Sequence, residues 1–269
     1  WMLTRGIAVR DASGKAYRMV GSHTDVSARK SAEEQLLHDA FYDVLTGLPN
    51  RALFMDRLGN ALRRTRRTQG YTCAVLFLDL DRFKVINDSL GHMTGDTLLV
   101  ETARRLEKCT RPGDTVARFG GDEFVMLFED IKDLQNAKMV AARVQEAFAA
   151  PFLSGGSEIF CTASIGIALS SPEDQKAEDV LRDADITMYQ AKAHGRACYE
   201  VFDPSMRLQA VALLHMETDL RNAIERNELR LHYQPIVSLE DGKIIGLEAL
   251  LRWQIGFHVE QGHGLQPHG

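Results

Sequence analysis

Residues 115–128 read TVARFGGDEFVMLF. Two short strand-like runs, 115–119 and 124–128, flank Gly120 and Gly121, and a glycine pair in that position is a strong hairpin signal. The tip carries adjacent carboxylates, Asp122 and Glu123. Upstream, residues 74–78 (AVLFL) form a continuous apolar run, the pattern of a central strand buried on both faces. Asp79 and Asp81 follow it at once. A carboxylate where a buried strand surfaces is costly to desolvate unless it is paired or bound to a cation. If these strands are neighbours, three or four carboxylates converge, and hard oxygen donors suit Mg²⁺ or Mn²⁺. Gly120 and Gly121 would let a bulky charged ligand approach the backbone. Spacing alone serves a solvated acidic hairpin tip equally well.

Working outward, Asn50 can cap a helix with apolar positions Leu53, Phe54, Leu58, Ala61 and Leu62. Its far end holds Arg63, Arg64, Arg66 and Arg67, a cationic end that complements the helix dipole. Leu98, Leu99, Ala103 and Leu106 mark a second helix. Beyond the hairpin, the patterns predict a helix over 133–149, a long strand over 158–170, a helix over 177–194 and a short strand over 198–202. Helices mixed with antiparallel strands in this way predict an α+β fold, an antiparallel-centred sheet with flanking helices, over residues 44–203.

Composition narrows the function classes. The 269 residues are 45% hydrophobic and 26% charged with a net charge of −5. That balance suits a globular protein and gives no bulk electrostatic support to nucleic-acid binding. Cys73, Cys109, Cys161 and Cys198 are far apart and read as reduced core thiols. No apolar run reaches the roughly 20 residues of a membrane span, and no signal peptide is evident. A cytoplasmic location and no membrane contact within this chain are expected.

Both ends read as cut. Residues 1–10 and 16–23 predict strands around a turn at 11–14, and a lone hairpin is marginal in water. Residues 27–43 read as a helix, with Ser31 and Glu34 at capping-box spacing and a short apolar seam of Leu37, Phe41 and Val44. The seam serves equally a two-chain coiled coil or packing on its own domain. Residues 227–238 and the stretch through Leu250 read as strands around Glu240-Asp-Gly242. The tail after Trp253, with His258, His263 and His268, has no periodicity and is expected to be disordered.

RFGGDEF at 118–124 contains the signature of the GGDEF family, which this chain resembles. The resemblance extends to DVLTGLPNR (43–51), LDLDRFKVINDSLGHMTGD (78–96), SIGIA (164–168) and ADITMYQAKAHGR (184–196). Five blocks in order over about 160 residues are far more specific than one short motif. Residues 21–30 (GSHTDVSARK) resemble the end of a PAS sensor domain, so 1–26 is expected to be its remnant and 27–43 a signalling helix. LRLHYQPIVSLEDGKIIGLEALLRW, carrying Glu248-Ala249-Leu250, resembles the opening of an EAL phosphodiesterase domain over 204–253.

The resemblance implies a diguanylate cyclase that condenses two GTP into cyclic di-GMP, working as a homodimer with two Mg²⁺ or Mn²⁺ per GTP. It places metal on Asp79, the Leu80 carbonyl and Asp122, with Glu123 beside them, and makes Asp122 the general base. Asn87 and Asp96 match the guanine contacts, and a carboxylate suits the N1–H and N2–H₂ donors that adenine lacks. Lys84, Lys192 and Arg196 match phosphate contacts, together with backbone N–H groups around Phe83, and cationic side chains supply the charge that a triphosphate needs. Arg111 and Asp114 match the R-x-x-D site that binds cyclic di-GMP as feedback inhibitor, with Arg143 as a secondary arginine. A GGDEF module that binds GTP or cyclic di-GMP without catalysis is the rival reading. Phosphodiesterase activity is not expected, because Glu248 alone cannot build that metal site.

Overall fold

The computed structural model describes residues 1–171 and 176–253, apart from the side chains of Glu34, Leu214 and Glu217. The three tail histidines therefore lie outside the described residues. The chain divides into two units, Trp1–Asp203 and Pro204–Gly269. In the first, β1 (Met2–Arg10) and β2 (Ala16–Asp25) form an antiparallel hairpin. α1 (Ser27–Phe41) follows. It starts one turn before the expected capping box, with Val26 as its N-cap and the Asp25 carboxylate accepting the Ser27 amide at 2.8 Å. Ser31 is thus inside the helix, and Glu34's side chain is outside the described set. The seam residues Leu37, Phe41 and Val44 are exposed.

α2 (Arg51–Arg67) is capped by Asn50, whose side chain accepts from the Ala52 and Leu53 amides, satisfying two of the orphan donors at a helix start. β3 (Ala74–Leu80) is buried along its whole length. α3 (Phe83–Leu90) and α4 (His92–Lys108) meet at Gly91; only α4 carries enough periodic apolar positions to be read from the sequence. β4 (Thr115–Gly120) and β5 (Glu123–Phe128) form the expected hairpin. α5 (Leu134–Ala147) is capped by Asp133. The predicted strand over 158–170 is in fact two. β7 (Ser157–Ile159) pairs with β6 (Phe152–Ser154), and β8 (Ala163–Leu169) pairs with β3. The break falls where the chain changes partner, which side-chain pattern does not encode. α6 (Ala177–Ala193) and β9 (Tyr199–Val201) complete this unit.

The main sheet has the order β4-β5-β3-β8-β9, antiparallel except for β8 with β9. Alternation along β3 sends Leu76, Leu78 and Leu80 into one core with α4 and α5 residues such as Leu98, Leu106 and Val144. Val75 and Phe77 enter a second core with Phe54 and Leu58 of α2 and Val180 and Met188 of α6. Cover on both faces is why β3 reads as unbroken hydrophobicity. The second unit holds α7 (Pro204–Glu225) and the antiparallel hairpin β10 (Leu229–Val237) with β11 (Ile244–Trp253). Among the described residues no helix is long and apolar enough to cross a membrane.

β8 and α6 pack at unusually close range. A Cβ on Gly166 would stand 2.1 Å from the Ala184 carbonyl oxygen and 2.2 Å from the Met188 nitrogen, both backbone atoms that cannot step aside. Gly166→Ala is therefore expected to lower unfolding free energy by about 3 kcal/mol, the upper end of ordinary overpacking costs. Urea titration checks this; a loss below about 0.5 kcal/mol, an ordinary surface effect, would show that the helix shifts freely.

Candidate functional site

β3 and β5 are neighbours, so the ends of two distant segments meet. Asp79 lies directly opposite Glu123 in the ladder. The Leu80 amide donates to the Asp122 carbonyl at 3.3 Å. Asp79 is 9% exposed, and its Oδ2 accepts from Lys192 Nζ of α6 at 2.7 Å. Burial pushes the Asp79 carboxyl above the usual carboxylate range, against the Lys192 ammonium, and the charges of Asp122 and Asp81 add to the rise. Glu123 is pushed up the same way, by burial first and then by Asp185, Asp79 and Asp122. This is a crowded set of hard oxygen donors that a cation relieves, and Lys192 supplies the cation here. The donor chemistry fits Mg²⁺ or Mn²⁺ at Asp79, Asp122 and the Leu80 carbonyl. Among the described residues no three His, Cys, Asp or Glu side chains stand close enough to hold a metal alone, so the expected set depends on its main-chain carbonyl.

The full convergence of strand-end and tip carboxylates is not what forms. Asp81 turns away from the tip and is buried. Its Oδ1 accepts from Ser164 Oγ at 2.7 Å, and its Oδ2 from Thr162 Oγ1 at 2.6 Å and the Ala197 amide at 3.0 Å. Its own amide donates to the Thr162 carbonyl. Arg196 and Ala197, with φ of 65° and 49°, are consecutive left-handed residues. Backbone of that kind persists only where its surroundings fix it, and Asp81 is the fixture. A neighbouring thiol, Cys161, is pushed up to about 12, chiefly by burial.

At the hairpin tip the register slips between Arg118 and Gly120. Gly120 and Gly121 take φ of 145° and 50°, which side chains with a Cβ rarely adopt. Arg118 closes the bend from behind. Its Nε and Nη2 donate to the Gly121 carbonyl at 3.1 and 2.8 Å, and its Nη1 to both oxygens of Asp43 at 2.9 and 3.1 Å. Burial works to raise the Asp43 carboxyl, but hydrogen bonds from Thr46 and Arg118 outweigh it and hold it below the ordinary range. The Arg118 amide also donates to the Pro49 carbonyl at 3.0 Å.

Just past the end of β3, Arg82 (φ 60°) turns the chain into α3, with Phe83 buried and Lys84 exposed. Asn87 is half-buried on α3, and Asp96 is exposed on the first turns of α4 beside Gly95. Asp96 lines a groove of about 650 Å³ with Met93, Thr97 and Arg104. Lys192, expected at a phosphate, is engaged by Asp79, and Arg196 lines a separate cavity of about 390 Å³ with Arg82, Val85 and Thr162. Arg111, Asp114 and Arg143 line one cavity of about 440 Å³. There Asp114 Oδ2 accepts the Arg111 amide at 3.0 Å. Arg111 Nη2 donates to the Glu129 carbonyl and Arg143 Nη2 to the Cys109 carbonyl, each at 2.6 Å.

Arg118, Asp43 and Asp185 were not given site roles from the sequence, and Asp81, expected among the converging carboxylates, is bound to Ser164, Thr162 and Ala197 instead. Asp43 and Arg118 open two of the five blocks, so position pointed at them while their partners did not.

Residues 40–198 match the family described as "Diguanylate cyclase, GGDEF domain", and residues 217–258 match the EAL domain. The chain is 44% identical over 231 residues to the bifunctional diguanylate cyclase/cyclic di-GMP phosphodiesterase MucR of Pseudomonas aeruginosa, covering 86% of this chain and 33% of MucR. It is 40% identical over 231 residues to the cyclic di-GMP phosphodiesterase NbdA of the same organism, covering 86% of this chain and 29% of NbdA. It thus spans about a third or less of the length of these relatives. The crystal structure of the coiled coil and GGDEF domain of DgcB from Caulobacter crescentus in complex with c-di-GMP superimposes with a TM-score of 0.58 at 30% identity, covering 65% of this chain and 93% of that one. The α+β architecture is that of GGDEF domains.

Asp81→Asn leaves the network one acceptor short and is expected to lower unfolding free energy by about 2 kcal/mol, within the cost of an unsatisfied buried donor. A urea midpoint unchanged from wild type would show that loop 195–197 holds itself.

Proposed function

The chain belongs to the GGDEF family of diguanylate cyclase domains, and from that premise we propose that it condenses two GTP into cyclic di-GMP with release of two pyrophosphates. The observation that carries the reading is the register of Asp79 opposite Glu123, with Leu80 tied to Asp122, beside a glycine bend. In each half-reaction the 3′-hydroxyl oxygen of one GTP bonds to the α-phosphorus of the other. The bond to the β-phosphate bridging oxygen breaks, and pyrophosphate leaves with that electron pair. Asp122 takes the hydroxyl proton as general base.

A divalent cation held by Asp79, the Leu80 carbonyl, Asp122 and Glu123 would acidify the hydroxyl and offset charge on the phosphoryl oxygens. Lys84 and the amides around Phe83 face the phosphates, and Arg196 adds a fixed cation from the loop that Asp81 fastens. Asn87 and Asp96 select guanine. Because each domain holds one GTP, two copies must face each other, and the active species is a homodimer. Arg111, Asp114 and Arg143 bind cyclic di-GMP as inhibitor, since arginine suits guanine O6 and N7 and the three share one cavity.

A second reading is a regulatory module that binds GTP without turnover. NbdA, 40% identical over 231 residues, is named for phosphodiesterase activity alone.

Incubation of the chain with GTP and Mg²⁺ is expected to yield cyclic di-GMP and pyrophosphate by chromatography. Asp122→Ala should cut the rate by about 100-fold or more, as loss of a positioned base does, with its melting temperature retained. GTP binding by a verified dimer without product would establish the regulatory module instead. Arg111→Ala should raise the inhibitory concentration of cyclic di-GMP about tenfold, the scale of one lost bidentate contact; unchanged inhibition would remove the assignment of this cavity.

A further inference from the structure

α3 and α4 meet at Gly91, and Gly95 lies buried one turn into α4, facing α3. Glycine is a poor helix residue and needs a reason to sit in a buried helical turn. The reason here is space. A Cβ on Gly95 would stand 1.8 Å from Asn87 Oδ1, 2.8 Å from Asn87 Cγ and 3.2 Å from Phe83 Cζ. The first two distances are overlaps that no real Cβ shows; the third is tight but negotiable.

The seat is also unusual in its chemistry. Asn87 Oδ1 is buried there with no hydrogen-bond partner. Buried polar atoms are nearly always paired, so what fixes this amide is the shape of the wall behind it. With its Oδ1 unpaired, the amide can be displaced by a single methyl group, since it is the far end of a rotatable side chain rather than backbone. The fold can therefore survive a loss that the amide's position cannot.

We propose that Gly95 is the positioning residue that sets guanine selection, by leaving the volume that seats the Asn87 amide beside Asp96. This rests on the reading of Asn87 as a base contact. Asp96 follows Gly95 directly, so one turn of α4 supplies both the carboxylate that accepts from guanine and the vacancy that aims its partner.

The test is a double-mutant cycle on the whole 269-residue chain, titrated with 3′-deoxy-GTP and 3′-deoxy-ATP, which lack the attacking hydroxyl. Gly95→Ala is expected to weaken 3′-deoxy-GTP about tenfold, the loss of roughly one hydrogen bond, and to leave 3′-deoxy-ATP within about twofold. Asn87→Ala should do the same, and the double variant should bind within about twofold of either single variant, because the two changes remove one interaction. Losses that multiply, or a Gly95→Ala chain that binds like wild type, would overturn the proposal.

Thermal melting supplies an independent arm. If Gly95→Ala is too unstable to titrate, the double variant must melt higher than it, since the overlapping atoms are gone. Equal melting would assign the constraint to Phe83 and sink the proposal. A wild-type chain that binds no 3′-deoxy-GTP would refute the function proposed above, while the melting cycle would still report whether Gly95 and Asn87 compete for one space.

Discussion

Asp79 is the penultimate residue of a strand whose seven residues are all buried, and the cost of keeping a carboxylate there organises the site around it. In a low-dielectric setting such a group must be neutralised, hydrogen-bonded or paired. Lys192 comes from α6 to pair with it at 2.7 Å, which requires α6 to lie flat against β3 and β8. The flatness in turn requires Gly166, where the helix backbone comes within van der Waals overlap of any added side chain. The antiparallel pairing of β3 with β5 then delivers Glu123 opposite Asp79, so the tip adds charge where charge is already costly. A site held in this condition is primed for cations, since any cation that enters relieves repulsion already present.

Two carboxylates that flank this centre do structural work that frees the others. Asp43, joined to both Thr46 and Arg118, anchors the guanidinium that holds the Gly121 carbonyl. The signature bend is thereby tied to the segment that follows α1. That segment is itself stitched to α2: the Asn50 side chain reaches the Ala40 carbonyl at 2.9 Å while capping α2, and the Asn50 amide donates to Phe41. Asp81 fastens the left-handed Arg196–Ala197 link to the end of β3. Asp79 and Asp81, two residues apart, thus part company, one to the strand-end cluster and the other to the scaffold.

Much of this was legible early because it is local. The unbroken apolar run of 74–78 announces a strand covered on both faces, the glycine pair announces the hairpin, and Asn50 announces the start of α2. Less legible was whatever depended on a choice of partner. Residues 158–170 carry one continuous strand pattern, yet β7 joins β6 and β8 joins β3. α3 is too short for periodicity to register. Ser31 and Glu34 have capping-box spacing, but the helix begins at Ser27 as its periodicity predicts, which puts Ser31 inside it.

The sequence by itself determined the central strand, the glycine bend, the carboxylates at two strand ends and the five ordered blocks that assign the family. These are properties of residues within a few positions of each other, where period and backbone freedom decide. Only the tertiary structure decided that Asp81 serves loop 195–197, that Lys192 answers Asp79, and that the Asn87 side chain fills the space a Cβ on Gly95 would take. Each of those is a contest among several possible partners for one hydrogen-bonding group or one small volume. Its outcome depends on which distant segments packing brings within about 3 Å, the reach of a hydrogen bond.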